Sequence, residues 1–509
     1  MISSTPQVKL INYFKEPYNN AIATARTCYS SKVIYPNDVK KNEKLRDRIG
    51  ESIYKAGHHT VFQHAHFQFV LEKVSRQFIW SFLHSHPFYN SEQVSQRYVE
   101  VKENNFFIPP IEDKNKKIYI ATINFQMQAY KKLIELLDIP VKNEYKKIFS
   151  KKTNDEFEKI VKKKKQEIAR YVLPVATYAH LYHTVSGLTL YRYYRLCEQF
   201  DVPYEQKIVV KKMVEEVNKI DPLFFKHCES SIPLENTVEY EFLKQWKNAS
   251  KEFYIDFDDD LKNLSSKLVD YKINCEKVMA DSIRAMFNIS KNEINDKEAI
   301  GIILDPKKNK YLTDTLNLTS LAKLTKVLVH PHFTFKKRIS HCADSQNQRH
   351  RMTPATRPIL SKVFNENNVE YITPTIIKEN ASIMEYYHEI MCKVWDGINK
   401  LLNNKVSHEF ALYLLPNAYP IRFYESGSLL DFYHKWTKRL CFTAQEEIWR
   451  TSLEEVMQVK EKFPHIGYYI FPPCKIRRIA KVAPFCPEGE RFCGIKVWEL
   501  NLENYSRKI

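Results

Sequence analysis

The chain has 509 residues, of which 44% are hydrophobic and 27% charged, with a formal net charge of +18 and 9 glycines. That length holds two or more domains with ample cores, and no apolar run approaches the roughly 18 residues of a membrane helix, so a soluble globular protein is expected. The scarcity of glycine, with no GxGxxG or GxxxxGK[ST] run, excludes a glycine-cradled phosphate site and leaves arginine and lysine to attract anions.

In chain order, the N-terminal stretch carries no signal-peptide apolar region, and a cytoplasmic location is expected. Residues Phe67 to Ser75 alternate apolar and polar and then shift to helical spacing through His86, which predicts a strand followed by a helix. Alternation from Tyr98 to Val101 predicts another strand. Apolar residues at helical spacing from Ala121 to Leu137 predict a core helix. The Lys- and Asn-rich segment Lys142 to Gln166 reads as an insertion, and its Lys162 to Lys165 run reads as a solvated face. Nucleic acid is therefore not an expected partner. Asn248 to Leu268 reads as the joint between two units, 1–260 and 261–509.

The second unit repeats this order. His332 to Ser340 predicts a strand, CADSQNQRHR predicts a helix with Gln346, Arg349 and His350 on one face, and Ser382 to Leu402 predicts a core helix. The offsets are 265 residues from Ser75 to Ser340 and 242 from Pro174 to Pro416, a period that fits a duplicated domain rather than a solenoid. Near the end, Cys474, Cys486 and Cys493 follow His465 closely enough that a structural zinc site is weighed against plain core cysteines. The His64/His66, His84/His86 and His330/His332 pairs lack further ligands at metal spacing, so no catalytic metal is expected.

The two copies keep complementary halves of one composite motif. The first holds Ser95, Gln96, Arg97 and Tyr98 but has His84, Ser85 and His86 where the second has Arg349, His350 and Arg351. The second has TPATRP where the first has its serine and arginine cluster. Clustered guanidiniums call for an anionic partner, and a hydroxyl, backbone amides and a guanidinium in one short stretch can cap a phosphate.

These residues resemble the flavin-dependent thymidylate synthases, whose signature joins a QxxRHR helix to an SxRY segment. Further marks of that family recur in order: Ala25 to Tyr29, then Gly57, His58, Thr60 and His64. After these come Ala169, Arg170, Leu173 and Pro174, and in the second copy Leu415, Pro416, Arg439, Ala444, Gln445, Glu447 and Ile448. Two more arginines alternate, Arg170 against Leu412 and Arg439 against Cys197. Composite sites drawing on both copies are expected, with two chains forming a four-domain homodimer.

The resemblance implies an α+β fold of two tandem domains, each a mostly antiparallel sheet with long helices. It implies reductive methylation of dUMP to dTMP, with FAD as cofactor and NADPH and methylenetetrahydrofolate as cosubstrates. Ser95, Gln96, Arg97 and Arg170 would hold the dUMP phosphate, Arg439 the base, and Gln346 with Arg349 the junction of base and flavin. His58, Arg349, His350 and Arg351 would contact FAD. Where the family usually has asparagine and arginine, this chain has Ser186 and Leu188, then Ser428 and Leu430, which implies weakened flavin affinity. The split motif leaves two alternatives open, a non-catalytic descendant that binds nucleotide or RNA, and a flavin- and folate-dependent methylase of uridine in RNA.

Overall fold

The computed structural model describes residues 5–84, 86–149, 154–199, 201–245 and 250–509, so Ser85 and parts of the expected insertion and joint lie outside the described residues. The fold is α+β and built twice. Strands β1 (Gln7–Tyr13), β2 (His66–Ser75), β3 (Tyr89–Gln93) and β4 (Tyr178–Ser186) form an antiparallel sheet in the order β1-β2-β4-β3. Strands β5 (Ser266–Tyr271), β6 (His332–Ser340), β7 (Ala355–Thr356) and β8 (Pro420–Ser428) repeat it as β5-β6-β8-β7.

Alternation along β2 buries Phe67, Phe69 and Leu71 completely while His66 and Glu72 face outward, as a half-buried strand requires. A bulge at Lys73, with φ of +54°, shifts the register so that Val74 and Ser75 both turn inward. The helix Arg76–His84 then starts directly from the strand, with the Arg76 amide donating to Thr177 O at 3.0 Å.

The halves meet across a pseudo-twofold centred on the bridge between Pro174 and Pro416. Val175 N donates to Leu415 O at 2.8 Å and, reciprocally, Asn417 N donates to Leu173 O at 2.9 Å. Side chains follow the same rule. Glu205 accepts from Ser75 N and Oγ at 2.7 and 2.6 Å and from Tyr413 of the other half at 2.7 Å. Glu447 accepts from Ser340 N and Oγ, both at 2.6 Å, and from Tyr171 of the other half. Each buried carboxylate thus ties its own strand end to the opposite half and is satisfied by three donors.

The long helices Asp113–Leu136 and Ala381–Asn403 pack against one another at Gly397, where a Cβ would lie 2.4 Å from Thr122 Oγ1. A helix-interior glycine costs about 1 kcal/mol in propensity, and here it permits a close crossing. One hydrophobic core runs through the junction, joining Phe69 and Trp80 to Ile339, Tyr413 and Ile448.

Three local expectations are corrected. Tyr98 to Val101 is not a strand: Tyr98 and Val99 amides both return to Ser95 O, closing a turn that leaves Tyr98 and Val99 exposed. The strand of that region is β3, whose sequence YNSEQ lacks the β-branched pattern that would mark it. The motif helix of the second half, His341–Asn347, ends before Arg349. Asn347 Nδ2 donates to Glu425, and His350 N returns to Asn347 O, so Arg349, His350 and Arg351 leave in a turn. Gln346, Arg349 and His350 therefore do not share a helical face. Finally, the described part of Lys142 to Gln166 lies mainly in the helices Asp138–Ile148 and Asn154–Ala169. Lys164 is buried there and donates to Glu167 at 2.7 Å, so this run is not wholly a solvated face.

Candidate active site

The end of β3 and the turn after it carry Ser95, Gln96 and Arg97 to a place where the second half presents Gln346 at the end of its motif helix. Ser95, Arg97, Gln346 and Arg349 line both a large cavity of about 1310 Å³ and a smaller one of about 60 Å³. His350, Arg351 and Arg439 face the large cavity, and Gln96 and Arg170 the small one. Nine of the ten positions read from sequence for substrate or cofactor thus surround one composite site drawn from both halves. The exception is His58, which precedes the short helix His59–His64 and is exposed outside both cavities. Its neighbour in that segment, His64, lines the large cavity instead.

Each guanidinium is held differently. Arg97 pairs with Glu167 and donates to Thr443 O at 2.7 Å, so a residue just past the supposed insertion orients it from behind. Burial works against the Glu167 charge, but Arg97 and Lys164 outweigh it and keep the carboxyl well below its usual range. Arg349 donates to Glu92 at 2.8 Å and is about half exposed. Arg351 donates to Pro87 O at 3.3 Å and lies 4.9 Å above the Tyr89 ring. Turning out of the helix splays these cations, which relieves the repulsion that stacking would impose.

The remaining arginines form no ion pair with a carboxylate among the described residues. Among the described residues, Arg170 donates to Gln445 Oε1 at 2.8 Å, Arg439 to Gln346 O at 2.6 Å, and Arg76 to Gln93 Oε1 at 3.0 Å and Val94 O at 2.5 Å. All these acceptors are neutral. Burial, with Arg97 and Arg349 nearby, pulls Arg439 down to about 10, and burial beside Arg170 pulls Arg76 down to about 9. Buried Nε atoms of Arg76, Arg170 and Arg439 and Nε2 of Gln96 have no hydrogen-bond partner. An unsatisfied buried donor costs about 1–3 kcal/mol, so an acceptor-rich anion is the ligand chemistry these walls favour. His350 contributes no charge, because burial and then Arg439 and Lys435 push it well below 6.5.

A relay connects the site to the scaffold. Gln445 accepts from both Arg170 and Gln346 and donates to Tyr171, which donates to Glu447. Sequence reading marked Gln445 and Glu447 as family positions but gave neither a place. It missed Arg76, Glu167 and Lys164 as site-forming residues, and only the cation density around Lys164 carried any signal.

The pseudo-equivalent position, built from the first-half motif helix and the turn after β7, is filled. There Leu412 stands for Arg170, Cys197 for Arg439, His84 for Arg349 and Trp80 for Ser345, and Trp80, Cys197 and Leu412 are buried. Trp80 Nε1 donates to Asp344 at 2.7 Å, and Asp344 also pairs with Arg357 at 2.6 Å.

In the tail, Cys474, Cys486 and Cys493 line a small cavity with Cys441, and His465 is not among them. Cys493 Sγ donates to Ile495 O at 3.5 Å, and Cys441 Sγ lies 3.2 Å from Thr443 Oγ1. Among the described residues no group of three or more His, Cys, Asp or Glu is arranged to hold a metal. These contacts fit core cysteines, the default reading, in which thiols pack as small apolar groups.

Comparison with known proteins gives a family profile described as "Thymidylate synthase complementing protein", which matches residues 9–223 and 267–465. A flavin-dependent thymidylate synthase of Clostridium tetani is 27% identical over 228 residues, covering 44% of this chain and 87% of that protein. The enzyme of the same name from Saccharolobus solfataricus is 26% identical over 216 residues (42% and 79%), and that from Sulfurisphaera tokodaii 28% over 217 residues (42% and 80%).

Proposed function

The chain belongs to the thymidylate synthase complementing protein family, and from that premise we propose that it is an FAD-dependent thymidylate synthase that methylates dUMP to dTMP. Methylenetetrahydrofolate would supply the carbon and NADPH the reducing equivalents. The observation that carries this reading is that Arg97 of one half and Arg349 of the other line the same cavity, together with Arg170 and Arg439 beside it.

The residues fit the cofactor. A cavity of about 1310 Å³ exceeds the roughly 300–1,000 Å³ typical of a drug-sized ligand, which leaves room for a nucleotide beside a dinucleotide. Arg349 and Arg351 offer charge to its phosphates, and Tyr89 and Phe88 offer apolar surface to its rings. When bound and reduced by NADPH, the flavin would supply the hydride that the methylated pyrimidine requires.

The chain's own work is positioning and electrostatics. Ser95, Gln96, Arg97 and Arg170 hold the phosphate of dUMP. Arg439 faces the base, where its positive charge stabilises negative charge developing on the pyrimidine. Gln346, oriented through Gln445, and Arg349 stand between base and flavin. Neutral His350 faces the flavin without adding charge. No side chain is assigned as a nucleophile. Two chains would form a four-domain homodimer, in which exposed His58 is available to the cavity of a partner.

The test is the visible absorbance of purified protein given FAD, followed anaerobically as NADPH is added with and without dUMP. Flavin that is retained and bleaches faster with dUMP supports the reading. Protein that retains no flavin sinks it in favour of a non-catalytic descendant.

A further inference from the structure

Behind the turn that carries Arg349, His350 and Arg351 lies a buried charge cluster outside both cavities. Glu425 of β8 pairs with Lys337 of β6 and with Lys435 of the helix Leu429–Arg439, and Lys337 pairs also with Glu455 of the helix Glu446–Lys462. All four side chains are at most 1% exposed. Burial opposes the Glu425 charge, yet its two lysines keep the carboxyl well below the usual range, so it is ionised. Ser266 Oγ and Trp436 Nε1 complete the cluster by donating to Glu455 at 2.9 and 2.7 Å.

The first half folds without these charges. With the spacing of Pro174 and Pro416, His183 answers Glu425, Tyr193 answers Lys435 and Met213 answers Glu455, each 242 residues earlier. Leu71 answers Lys337, since it pairs with Leu181 across its sheet as Lys337 pairs with Phe423. These counterparts are buried, and the His183 and Tyr193 rings stack at 5.8 Å. A buried ion cluster adds little net stability over apolar residues of similar volume, and the scaffold forms here from apolar and aromatic groups. The charges therefore answer to something other than folding.

What differs is the reach of Glu425. Its Oε2 takes the two lysines, while its Oε1 accepts from Asn347 Nδ2 at 2.9 Å and from Thr353 Oγ1 at 3.0 Å. Asn347 ends the motif helix and Thr353 closes the turn, with His350 N returning to Asn347 O and Thr353 N to His350 O. One carboxylate thus grips both ends of the segment that carries Arg349, His350 and Arg351 to the large cavity. Where the second half has Asn347 the first has Phe82, which offers no donor and packs on the His183 and Tyr193 rings. We propose that Glu425 is a positioning residue, fixed by Lys337 and Lys435, that holds the Arg349–Arg351 turn toward its ligand through Asn347 and Thr353. Its effect on FAD rests on the proposed function, and its effect on the turn does not.

Amide hydrogen exchange of the full-length protein, read by mass spectrometry over residues 348–353 and over β6 and β8, tests this beside FAD titration followed by visible absorbance. Glu425→Asp keeps a charge for the lysines but loses one methylene of reach, and Thr353→Val removes the hydroxyl alone. Each should speed exchange of the turn and weaken FAD by about 10-fold or more, the worth of a hydrogen bond to a charged group, with β6 and β8 unchanged. Adding Thr353→Val to Glu425→Asp should change neither reading further, because the contact is already gone. Thr353→Ser retains the hydroxyl and should behave as wild type. Unchanged exchange of the turn in both single variants overturns the proposal, as does acceleration that extends equally to β6 and β8, or effects that multiply in the double variant. If Glu425→Asp does not fold, equal losses in Thr353→Ser and Thr353→Val overturn it. If wild-type protein binds no FAD, the proposed function fails and exchange of the turn still decides the role of Glu425.

Discussion

At two places related by the pseudo-twofold, the same scaffold supports different contents. Ser75, Glu205 and Tyr413 make at one place the contacts that Ser340, Glu447 and Tyr171 make at the other. Yet one place opens onto four arginines, of which Arg76 and Arg170 are held by neutral acceptors, while the other is closed by Trp80, Leu412 and Cys197. The contrast separates the demands of folding from those of binding. Buried backbone ends and carboxylates must be satisfied wherever the halves meet, whereas a cluster of cations is tolerated only where a ligand can share its charge.

The comparison can be broken most forcibly by Cys197→Arg, which installs the counterpart of Arg439 in the filled position. Burying a guanidinium without an arranged partner there should destabilise the protein by about 3–5 kcal/mol, measured by urea unfolding. A stable variant that binds a second nucleotide would show that the filled position is merely silenced. Next in size is Arg349→Ala, expected to lower turnover about 100- to 1,000-fold, some 2.7–4 kcal/mol, with little change in stability because the side chain is half exposed. Arg97→Ala should lose similar activity but also stability, because it leaves buried Glu167 with Lys164 as the remaining one of its two cationic partners. Equal unfolding midpoints for the two variants would contradict that difference.

The scaffold carboxylates offer a pH test. Burial raises Glu205 from 4.5 to about 7, against the donors Ser75 and Tyr413. Its folded pKa lies above the unfolded one, so the native state holds a proton that the unfolded chain has lost between pH 4.5 and 7. The associated stability is present in full below pH 4.5 and disappears as pH rises to about 7, a change of about 3 kcal/mol at 1.36 kcal/mol per unit. Glu205→Gln stays neutral throughout and should gain stability relative to wild type across that window. Parallel pH profiles of unfolding would refute the assignment. The smallest effect is a null one: calorimetric titration with dUMP should saturate at one nucleotide per chain, and two would reopen the filled position.

Local pattern revealed much of this and then stopped. The alternation of FQFVLEKVS and HFTFKKRIS identified β2 and β6, because a half-buried strand writes its period into adjacent residues. The polar strand β3 wrote no such period and was missed. The QNQRHR run looked helical throughout, but Asn347 bonds Glu425 of β8, some 78 residues away, and the helix ends there. Arg76 looked like one charge at a strand end. Its place beside Arg170 depends on β3 and β4 pairing around it.

By itself the sequence determined that a strand-and-helix unit occurs twice, and which copy holds each arginine of the composite motif. These follow from periodicity and residue identity, which need no partner. Only the tertiary structure decided that the two copies pool their arginines around one cavity, that Glu167 and Gln445 orient them, and that the complementary position closes on Trp80. Those outcomes rest on groups up to 346 residues apart, such as the Arg97 guanidinium and the Thr443 carbonyl. Their meeting is set by reciprocal hydrogen bonds and one shared core across the pseudo-twofold, quantities that no local window of sequence contains.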